Sequence, residues 1–517
     1  MSLLRSAATI SLLTLLSRIT GLVREMLIAR YFGAGAATDA FYVAFRIPNM
    51  LRRLFAEGAF SQAFVPMLSH VKEKCPADEQ KAFTDRVFTL LALAVFGVTV
   101  LGVFAAPFLV WLLASGLADN PTAFDIASQM TRVMFPYIIF MSLMAFSAAI
   151  LNTWKHFAVP AFTPVLLNVS FIACTLLLAD RFAEPVWALA TAVVIGGVAQ
   201  LSMQLFALWR MGVRLSFVRP STAWRDKSVR QMLALMLPAV VGVSVAPISL
   251  LINTNIASHI AQGAITWLNF ADRLMEFPTA LLGVALGTVL LPGLSSAYAR
   301  GETERYNALL DRSLKIVVLI GVPCSVGLGL LATGLTAVLY QGRIFTAHDV
   351  VQTAAAMQGY AIGLLGIIAI KILAPAFYAR KDLKTPLYIA VAAVCVVQTC
   401  NLFFVPLFAQ AGLALSISMG ALFNALALTV VLVRRAWFVP QGGWLVYSLR
   451  VLAGSAAMGA MLFACQTDIV WTQMQNAWAW RATLIALIVL GAIVTYFATL
   501  FVLGWRAREV RTAARLG

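Results

Sequence analysis

The sequence predicts an all-α integral membrane protein with 14 transmembrane helices, and three observations lead to this fold class. Hydrophobic residues make up 61% of the 517 positions, whereas charged residues make up only 11%. Apolar runs near or above the roughly 20 residues that cross a bilayer recur along the whole chain. Basic residues gather in alternate connections between these runs. A soluble protein is therefore excluded.

We expect the first predicted span to be retained in the mature chain and to be interrupted by charge. Arg5 and the apolar stretch after it imitate a signal peptide, but no AxA-like cleavage site follows, and Arg18, Arg24 and Arg30 come next. The predicted spans cover residues 7–32, 40–69, 86–113, 127–151, 159–179, 185–209, 231–258, 266–298, 313–340, 350–377, 387–407, 412–433, 445–465 and 482–504.

The distribution of Lys and Arg tests this topology independently, because cytoplasmic connections hold the basic excess. Alternate connections carry 26 basic residues on one side and 3 on the other, and a missed or an extra span would scramble this division. Both termini are therefore predicted to be cytoplasmic. The net charge of +17 is explained by topology, and a nucleic-acid partner is not expected.

An internal repeat appears at an offset of 226 residues. The matched positions are Pro66, Leu68 and Ser69 with Pro292, Leu294 and Ser295; Asp85 and Arg86 with Asp311 and Arg312; and Lys155 and Pro160 with Lys381 and Pro386. Each copy holds six spans, an even number, so both copies enter the membrane in the same direction. The predicted division is an N-terminal lobe (1–225), a C-terminal lobe (226–440) and two additional helices (441–517).

Charge within the spans is the strongest functional signal. The residues are Arg18, Arg24, Glu25, Arg30, Asp39, Arg46, Arg52, Arg53, Glu57, Arg132, Asp272, Arg273, Glu276 and Lys371. Each costs about 2.5 to 3.5 kcal/mol near a helix centre, so these side chains should face a protein interior or an aqueous cavity. Nine are basic and five are acidic, so they cannot neutralise one another. Arginine binds phosphate through two parallel hydrogen bonds, which predicts an anionic substrate.

Helical spacing groups some of these charges. Arg46, Arg53 and Glu57 fall within about 40° of one another on an ideal helix, and Arg273 lies one turn from Glu276. An alternative interpretation is that Arg53 with Glu57, and Arg273 with Glu276, are ion pairs that only lock helices together. Arg30 is expected to extend to the membrane interface rather than to contact a substrate.

No pattern in the chain indicates catalysis or metal binding. The sequence contains no GxxxxGK, HExxH or GxSxG motif, and no loop is long enough for a soluble catalytic domain. The six cysteines are scattered without CxxC pairs, which predicts neither disulfides nor a metal site. An enzyme and a cofactor are therefore not expected.

Long strings resemble the MurJ (MviN) lipid II flippases of bacterial peptidoglycan synthesis, a family of the MOP exporter superfamily. They are "LSRITGLVREMLIARYFGAGAATDAFYVAFRIPNMLRRLFAEGAFSQAFVPML", "NFADRLMEFPTALLGVALGTVLLPGLS", "ILNTWKHFAVPAF" and "LAPAFYARKDLKTP". The resemblance implies two six-helix lobes, alternating access of a central cationic cavity and flipping of lipid II from the cytoplasmic to the periplasmic leaflet of the inner membrane. It also implies that the two additional helices form a groove for the lipid tail.

The resemblance also implies which residues bind the lipid II head group. They are Arg18, Arg24, Asp39, Arg52, Arg53, Glu57, Asp272, Arg273 and Glu276, with Arg24, Arg52 and Arg273 expected on the diphosphate. Expected partners are lipid II and membrane lipids, and proteins of cell-wall synthesis or division are open candidates. Coupling to the membrane potential or to a monovalent cation also stays open. The competing hypotheses are a cation-coupled drug exporter, which the basic excess disfavours, and a membrane scaffold whose charges only pair helices.

Overall fold

The computed structural model describes residues 3–52, 59–467, 469–475 and 477–506, and the regular structure within these ranges is helical. The helices are α1 (Leu3–Phe32), α2 (Ala36–Arg52), α3 (Ala59–Lys74), α4 (Ala77–Phe104), α5 (Ala106–Leu113), α6 (Pro121–Met134), α7 (Tyr137–Thr153), α8 (Ala158–Leu178), α9 (Trp187–Arg210), α10 (Pro220–Arg225), α11 (Lys227–Ser258), α12 (Ala264–Ala299), α13 (Thr303–Leu330), α14 (Ala332–Tyr340), α15 (Ala347–Ala379), α16 (Lys384–Arg434), α17 (Trp444–Gln466) and α18 (Trp478–Val502).

The prediction of an all-α, multi-pass membrane protein is confirmed. Within the described ranges, nine helices are long and apolar enough to cross a membrane. They are Ala77–Phe104, Pro121–Thr153, Ala158–Arg181, Trp187–Arg210, Thr303–Leu330, Ala347–Ala379, Lys384–Arg434, Trp444–Gln466 and Trp478–Val502. Each of the 14 predicted spans coincides with at least one helix, although the number of membrane crossings itself stays a prediction.

Two predicted spans, 387–407 and 412–433, lie in α16 and are separated by a sharp break. Ala409 has φ 50° and ψ −127°, which interrupts the helix between them. Gly412 lies against the backbone carbonyl of Phe404, where a Cβ atom would clash. A glycine is therefore required for the chain to turn back closely on itself.

The chain divides into two compact units, Met1–Thr266 and Trp267–Gly517. In unit 1, the main packing pairs are α8 with α9, α1 with α8, α2 with α6, α7 with α9 and α11 with α3. In unit 2, they are α15 with α16, α13 with α15 and α17 with α18. The repeat assigns α11 to the second lobe, whereas its packing on α3 places it in unit 1. The repeat-based lobes therefore differ from the compact units and stay a prediction.

The 226-residue offset recurs in the local geometry of two turns. Lys155 and Lys381 both adopt a left-handed conformation, with φ 64° and 62°, which is uncommon outside glycine. The residue after each lysine donates its backbone N–H to an equivalent carbonyl, that of Leu151 at 2.8 Å and that of Phe377 at 3.1 Å. The two turns therefore repeat one backbone structure.

Cation–π contacts beside these turns repeat with exchanged roles. In unit 1, the Lys72 ammonium lies 4.7 Å from the ring centroid of Trp154. In unit 2, the equivalent positions are Tyr298 and Arg380, and the guanidinium lies 5.2 Å from the tyrosine ring. The cation and the ring have changed places while the contact between the two positions is kept.

A buried aspartate in each copy of the repeat holds the segment that follows the sixth predicted span of that copy. Asp85 on α4 accepts the backbone N–H of Ser216 at 2.9 Å. Asp311 on α13 accepts the backbone N–H of Gln441 at 3.1 Å and the indole N–H of Trp444 at 2.6 Å. Because the two carboxylates are 4% and 0% exposed, these hydrogen bonds satisfy buried charge and fix both segments.

The additional helices α17 and α18 are fixed to α13 by two tyrosines. Pro323 lacks an N–H group and so leaves the carbonyl of Leu319 without its helical partner. The Tyr496 hydroxyl donates to that carbonyl at 2.6 Å, and the Tyr447 hydroxyl donates to the Lys315 carbonyl at 2.8 Å. Both helices therefore belong to the packed structure of unit 2.

Candidate functional site

Arg24 is the centre of a buried polar cluster in unit 1. Its side chain is 12% exposed and forms an ion pair with Glu25. Its Nη1 atom donates to the Asn168 side-chain oxygen at 3.0 Å, and its guanidinium lies 5.0 Å from the centroid of the Phe171 ring. Its Nε atom is buried and has no hydrogen-bond partner among the residues that the structure describes. The guanidinium is thus held by three neighbours and keeps donor capacity.

Glu25 is more deeply buried than the arginine, at 3% exposure. The Tyr42 hydroxyl donates to its Oε2 atom at 3.2 Å, while Arg24 pairs with its Oε1 atom. Glu25 is one of the charges within the first predicted span, but it is not among the predicted site residues. Adjacent residues point to different faces of a helix, so the spacing gave no sign of this pairing.

An aromatic layer supports the cluster. The Phe171 ring contacts Phe41 edge-on at 6.1 Å between centroids and Phe45 at 6.2 Å. Phe45 in turn lies 6.0 Å from Tyr137. Rings packed in this way exclude water from one side of Arg24, which strengthens its electrostatic interactions.

Arg18 lies in a simpler environment, six residues before Arg24 on α1. Its side chain is half-buried, and no hydrogen bond or ion pair to it occurs among the described residues. Arg18 and Arg24 together place two cations on one largely apolar helix, and only Arg24 has a carboxylate in contact within the described part of the chain.

Asp39 caps the beginning of α12. Its carboxylate is 4% exposed and accepts the backbone N–H groups of Gly263 at 2.6 Å and Thr266 at 2.8 Å. The Thr266 hydroxyl donates to the same carboxylate at 2.6 Å. These are N–H groups that a helix leaves unpaired at its first turn, where negative charge is also favoured. The geometry gives Asp39 a capping role, and substrate contact by this residue stays a prediction.

Of the three charges predicted on one face of the second span, the structure describes the side chain of Arg46 alone. Its Nε atom donates to the hydroxyl of Thr254 on α11 at 3.1 Å. Arg52 is the last residue of α2, and Arg53 and Glu57 lie outside the described residues. The remaining site predictions on this span therefore stay predictions.

The predicted cluster of unit 2 lies on α12. Arg273 pairs with Glu276 at 3.0 Å, which confirms that these residues pair across one helical turn. Their side chains are 33% and 40% exposed, and Asp272 beside them is half-buried. Lys371 on α15 donates to the Thr279 carbonyl at 3.3 Å, so α15 and α12 meet one turn after this pair.

The geometry of the residues around Arg24 suits the binding of an anion. Among the described residues, no group of three or more His, Cys, Asp or Glu side chains could hold a metal ion. Arg24 instead combines a fixed orientation, an aromatic ring on one side and an Nε–H group that has no partner among the described residues. A planar guanidinium in this state can bind two oxygens of a phosphate group.

Comparison with known proteins identifies relatives over the full length. The sequence model described as "Lipid II flippase MurJ" matches residues 28–500. A Burkholderia cenocepacia protein named "Lipid II flippase MurJ" is 48% identical over 516 residues, which cover 100% of each chain. A Vibrio cholerae protein named "Probable lipid II flippase MurJ" is 38% identical over 523 residues, which cover 99% of this chain and 98% of that protein.

Solved structures agree with this relationship. The structure described as "Lipid II flippase MurJ, inward closed conformation" has a TM-score of 0.78 and 25% identity, covering 95% of this chain and 99% of that one. An inward-facing multidrug resistance MATE transporter of the MOP superfamily has a TM-score of 0.66 and 14% identity, covering 81% and 94% of the two chains, and shows a shared fold alone. The relatives are named flippases, which are transporters rather than enzymes. With this match and a 48% identical full-length relative, the chain belongs to the MurJ family of lipid II flippases.

Proposed function

We propose that this protein flips lipid II across the bacterial inner membrane, from the cytoplasmic to the periplasmic leaflet. The observation that carries the proposal is the Arg24 guanidinium. It is buried, it is oriented by Asn168 and Phe171, and its Nε–H group has no partner in the part of the chain that the structure describes. Lipid II presents a diphosphate between its lipid and its sugars. Such a group supplies the oxygens that a guanidinium recognises.

The diphosphate binds to a central cationic cavity in this proposal. Arg24 contributes from α1, Arg52 from the end of α2, and Arg273 from α12. Arg18 adds positive charge near Arg24 on the same helix. The acidic residues Glu25 and Glu276 keep two of these arginines paired when no substrate is bound. A phosphate oxygen can then bind a further N–H group of Arg24 without displacing Glu25, whose buried carboxylate would otherwise lose its cation.

Alternating access requires contacts that exist in one state and not in the other. We propose the Asp39 cap on α12 as such a contact. Its three hydrogen bonds join residues that are 224 to 227 positions apart in the chain. Both termini are cytoplasmic in the proposed orientation, which puts Asp39 and Gly263 at the periplasmic ends of their helices. The cap would hold this end closed while the cytoplasmic end admits the head group.

The two six-helix lobes and the additional helices have separate roles in the proposal. The lobes enclose the head group, whereas α17 and α18 form a groove for the undecaprenyl tail. The tyrosine hydrogen bonds to α13 support a fixed groove that stays attached to the second lobe. Membrane potential or a monovalent cation remains a proposed energy source, without assigned ligands.

Complementation of a strain depleted of its own lipid II flippase tests the function. Arg24→Ala and Arg273→Ala should fail to restore growth while their membrane abundance equals that of the wild type. Arg305→Ala is the matched control, because this arginine, whose side chain is 40% exposed, pairs with Glu302 at the beginning of α13 and is not part of either cluster. Normal growth with both cluster variants at native expression would overturn the proposal. A membrane scaffold with no transport role would tolerate both.

A further inference from the structure

Both polar atoms of the Asn168 side chain on α8, the amide oxygen and the amide nitrogen, form hydrogen bonds with α1. Its Oδ1 atom accepts a hydrogen bond from Arg24 Nη1 at 3.0 Å. Its Nδ2 atom donates to the Ser17 carbonyl at 2.9 Å and to the Thr20 hydroxyl oxygen at 3.1 Å. Asn168 is 6% exposed, so these hydrogen bonds are made away from bulk solvent.

These partners determine which way the amide faces. The Thr20 hydroxyl donates to the Leu16 carbonyl at 2.9 Å, so its oxygen is available as an acceptor toward Asn168. The Ser17 carbonyl can only accept a hydrogen bond. The NH₂ group must therefore face Ser17 and Thr20, and the side-chain oxygen must face Arg24. A flipped amide would place its NH₂ group against a guanidinium, which has no acceptor.

Phe171 contacts the same guanidinium through its aromatic ring. It lies three residues after Asn168, nearly one helical turn, and its ring is 5.0 Å from the Arg24 guanidinium carbon. The ring is 1% exposed and is held by Phe41 and Phe45.

We propose that Asn168 and Phe171 are positioning residues that orient Arg24 for the diphosphate of the substrate. This inference rests on the proposed function and deepens it. Asn168 fixes one edge of the guanidinium in its plane, and Phe171 fixes the orientation of that plane. An arginine that is already oriented loses less conformational freedom when it binds, so the affinity for the substrate rises. Neither residue is required to touch lipid II.

A double-mutant cycle with purified protein separates this role from ordinary helix packing. The variants are Asn168→Ala, Arg24→Ala and the combination, and the probe is purified lipid II. Asn168→Ala should weaken binding about tenfold, as expected for loss of a hydrogen bond to a charged group. In the Arg24→Ala background, the same change should have no further effect on binding. Thermal unfolding is measured on each variant.

Ser170→Ala provides the matched control. Ser170 is also a buried polar residue of α8, but its hydroxyl donates to the Ala192 carbonyl on α9 at 2.8 Å, away from Arg24. This variant should bind lipid II like the wild type. Phe171→Leu is a second variant that keeps apolar volume, and it should weaken binding several-fold only when Arg24 is present.

Independent effects of Asn168→Ala and Arg24→Ala that simply multiply would overturn the inference, as would wild-type affinity in Asn168→Ala. If Arg24→Ala weakens binding while Asn168→Ala and Phe171→Leu do not, the positioning role fails and the proposed function survives. If the wild type itself does not bind lipid II, both fail. If Asn168→Ala is unstable, lipid II binding by Phe171→Leu, measured with and without Arg24, decides the inference instead.

Discussion

The Tyr496 hydroxyl donates a 2.6 Å hydrogen bond to the carbonyl of Leu319, the group that Pro323 deprives of its helical partner. An unpaired carbonyl is costly inside a bilayer because no water can replace the missing donor. The tyrosine therefore repairs a defect in α13 and at the same time attaches α18. The structural effect of Pro323 on α13 is thus compensated by Tyr496 on α18.

Removal of the Tyr496 hydroxyl should destabilise the protein. Tyr496→Phe is expected to lower the free energy of unfolding by about 1 kcal/mol, measured by thermal unfolding in detergent. In a Pro323→Ala background, the restored N–H can pair with Leu319, so the same change should cost less. Tyr388→Phe, at a 69% exposed position, should have little effect. Equal costs of Tyr496→Phe in both backgrounds would contradict this account.

The aspartates equivalent in the repeat should each protect one segment. Asp85→Ala removes the acceptor for the backbone N–H of Ser216, and Asp311→Ala removes the acceptor for Gln441 and Trp444. Limited proteolysis should then cleave residues 211–219 faster in the first variant and residues 436–443 faster in the second. Each variant is the control for the other. Faster cleavage of both segments in both variants would indicate general unfolding instead.

Loss of the Asp39 cap should loosen the beginning of α12. Asp39→Ala removes the acceptor of three hydrogen bonds, so the backbone amides of Gly263 and Thr266 should exchange with deuterium at least about tenfold faster. Asp39→Asn keeps one oxygen acceptor and should show an intermediate rate. Unchanged exchange in Asp39→Ala would show that the cap does not hold this helix end.

A pH dependence is expected at the connection between α15 and α16. Partial burial acts to raise the pKa of Asp382, but hydrogen bonds from Thr385 and the Arg435 guanidinium outweigh it and hold this pKa below its usual value. The carboxylate therefore stabilises the fold fully above the ordinary carboxyl pKa of about 3.9 and loses this effect as the pH falls through the lowered pKa.

Asp382→Asn measures this contribution. The variant should melt at a slightly lower temperature than the wild type at neutral pH, and the difference should shrink as the pH falls below about 4. The effect is small because Arg435 is 44% exposed and its ion pair is screened by solvent. Asp180→Asn, whose carboxyl shares none of these partners, is the control. A difference that grows toward acid pH would contradict the assigned sign.

Sequence spacing predicted contacts within one helix and missed those that join distant segments. The pair Arg273 and Glu276 follows directly from a spacing of one turn. Arg24 was selected as a buried cation, but its contact with Asn168 joins positions 144 residues apart. Asp39 meets a helix start 224 residues later, a partner that periodicity cannot show.

The fold followed more completely from the sequence, because hydrophobic runs and alternating basic connections report directly on the membrane. The 226-residue offset even predicted the equivalence of Asp85 and Asp311, which the structure shows in matching roles. The cation–π contact of Lys72 with Trp154 recurs at the equivalent positions Tyr298 and Arg380. Sequence identity could not predict this, because the repeat keeps the contact but not the residues.

Transfer of lipid II across the bilayer of proteoliposomes tests the central claim most directly. Purified wild-type protein should move lipid II to the opposite leaflet, and Arg305→Ala should do the same. Arg24→Ala should lower the initial rate at least about tenfold, with unchanged thermal stability and reconstitution. Equal transfer rates for the wild type and Arg24→Ala would contradict a role of this guanidinium in binding the diphosphate.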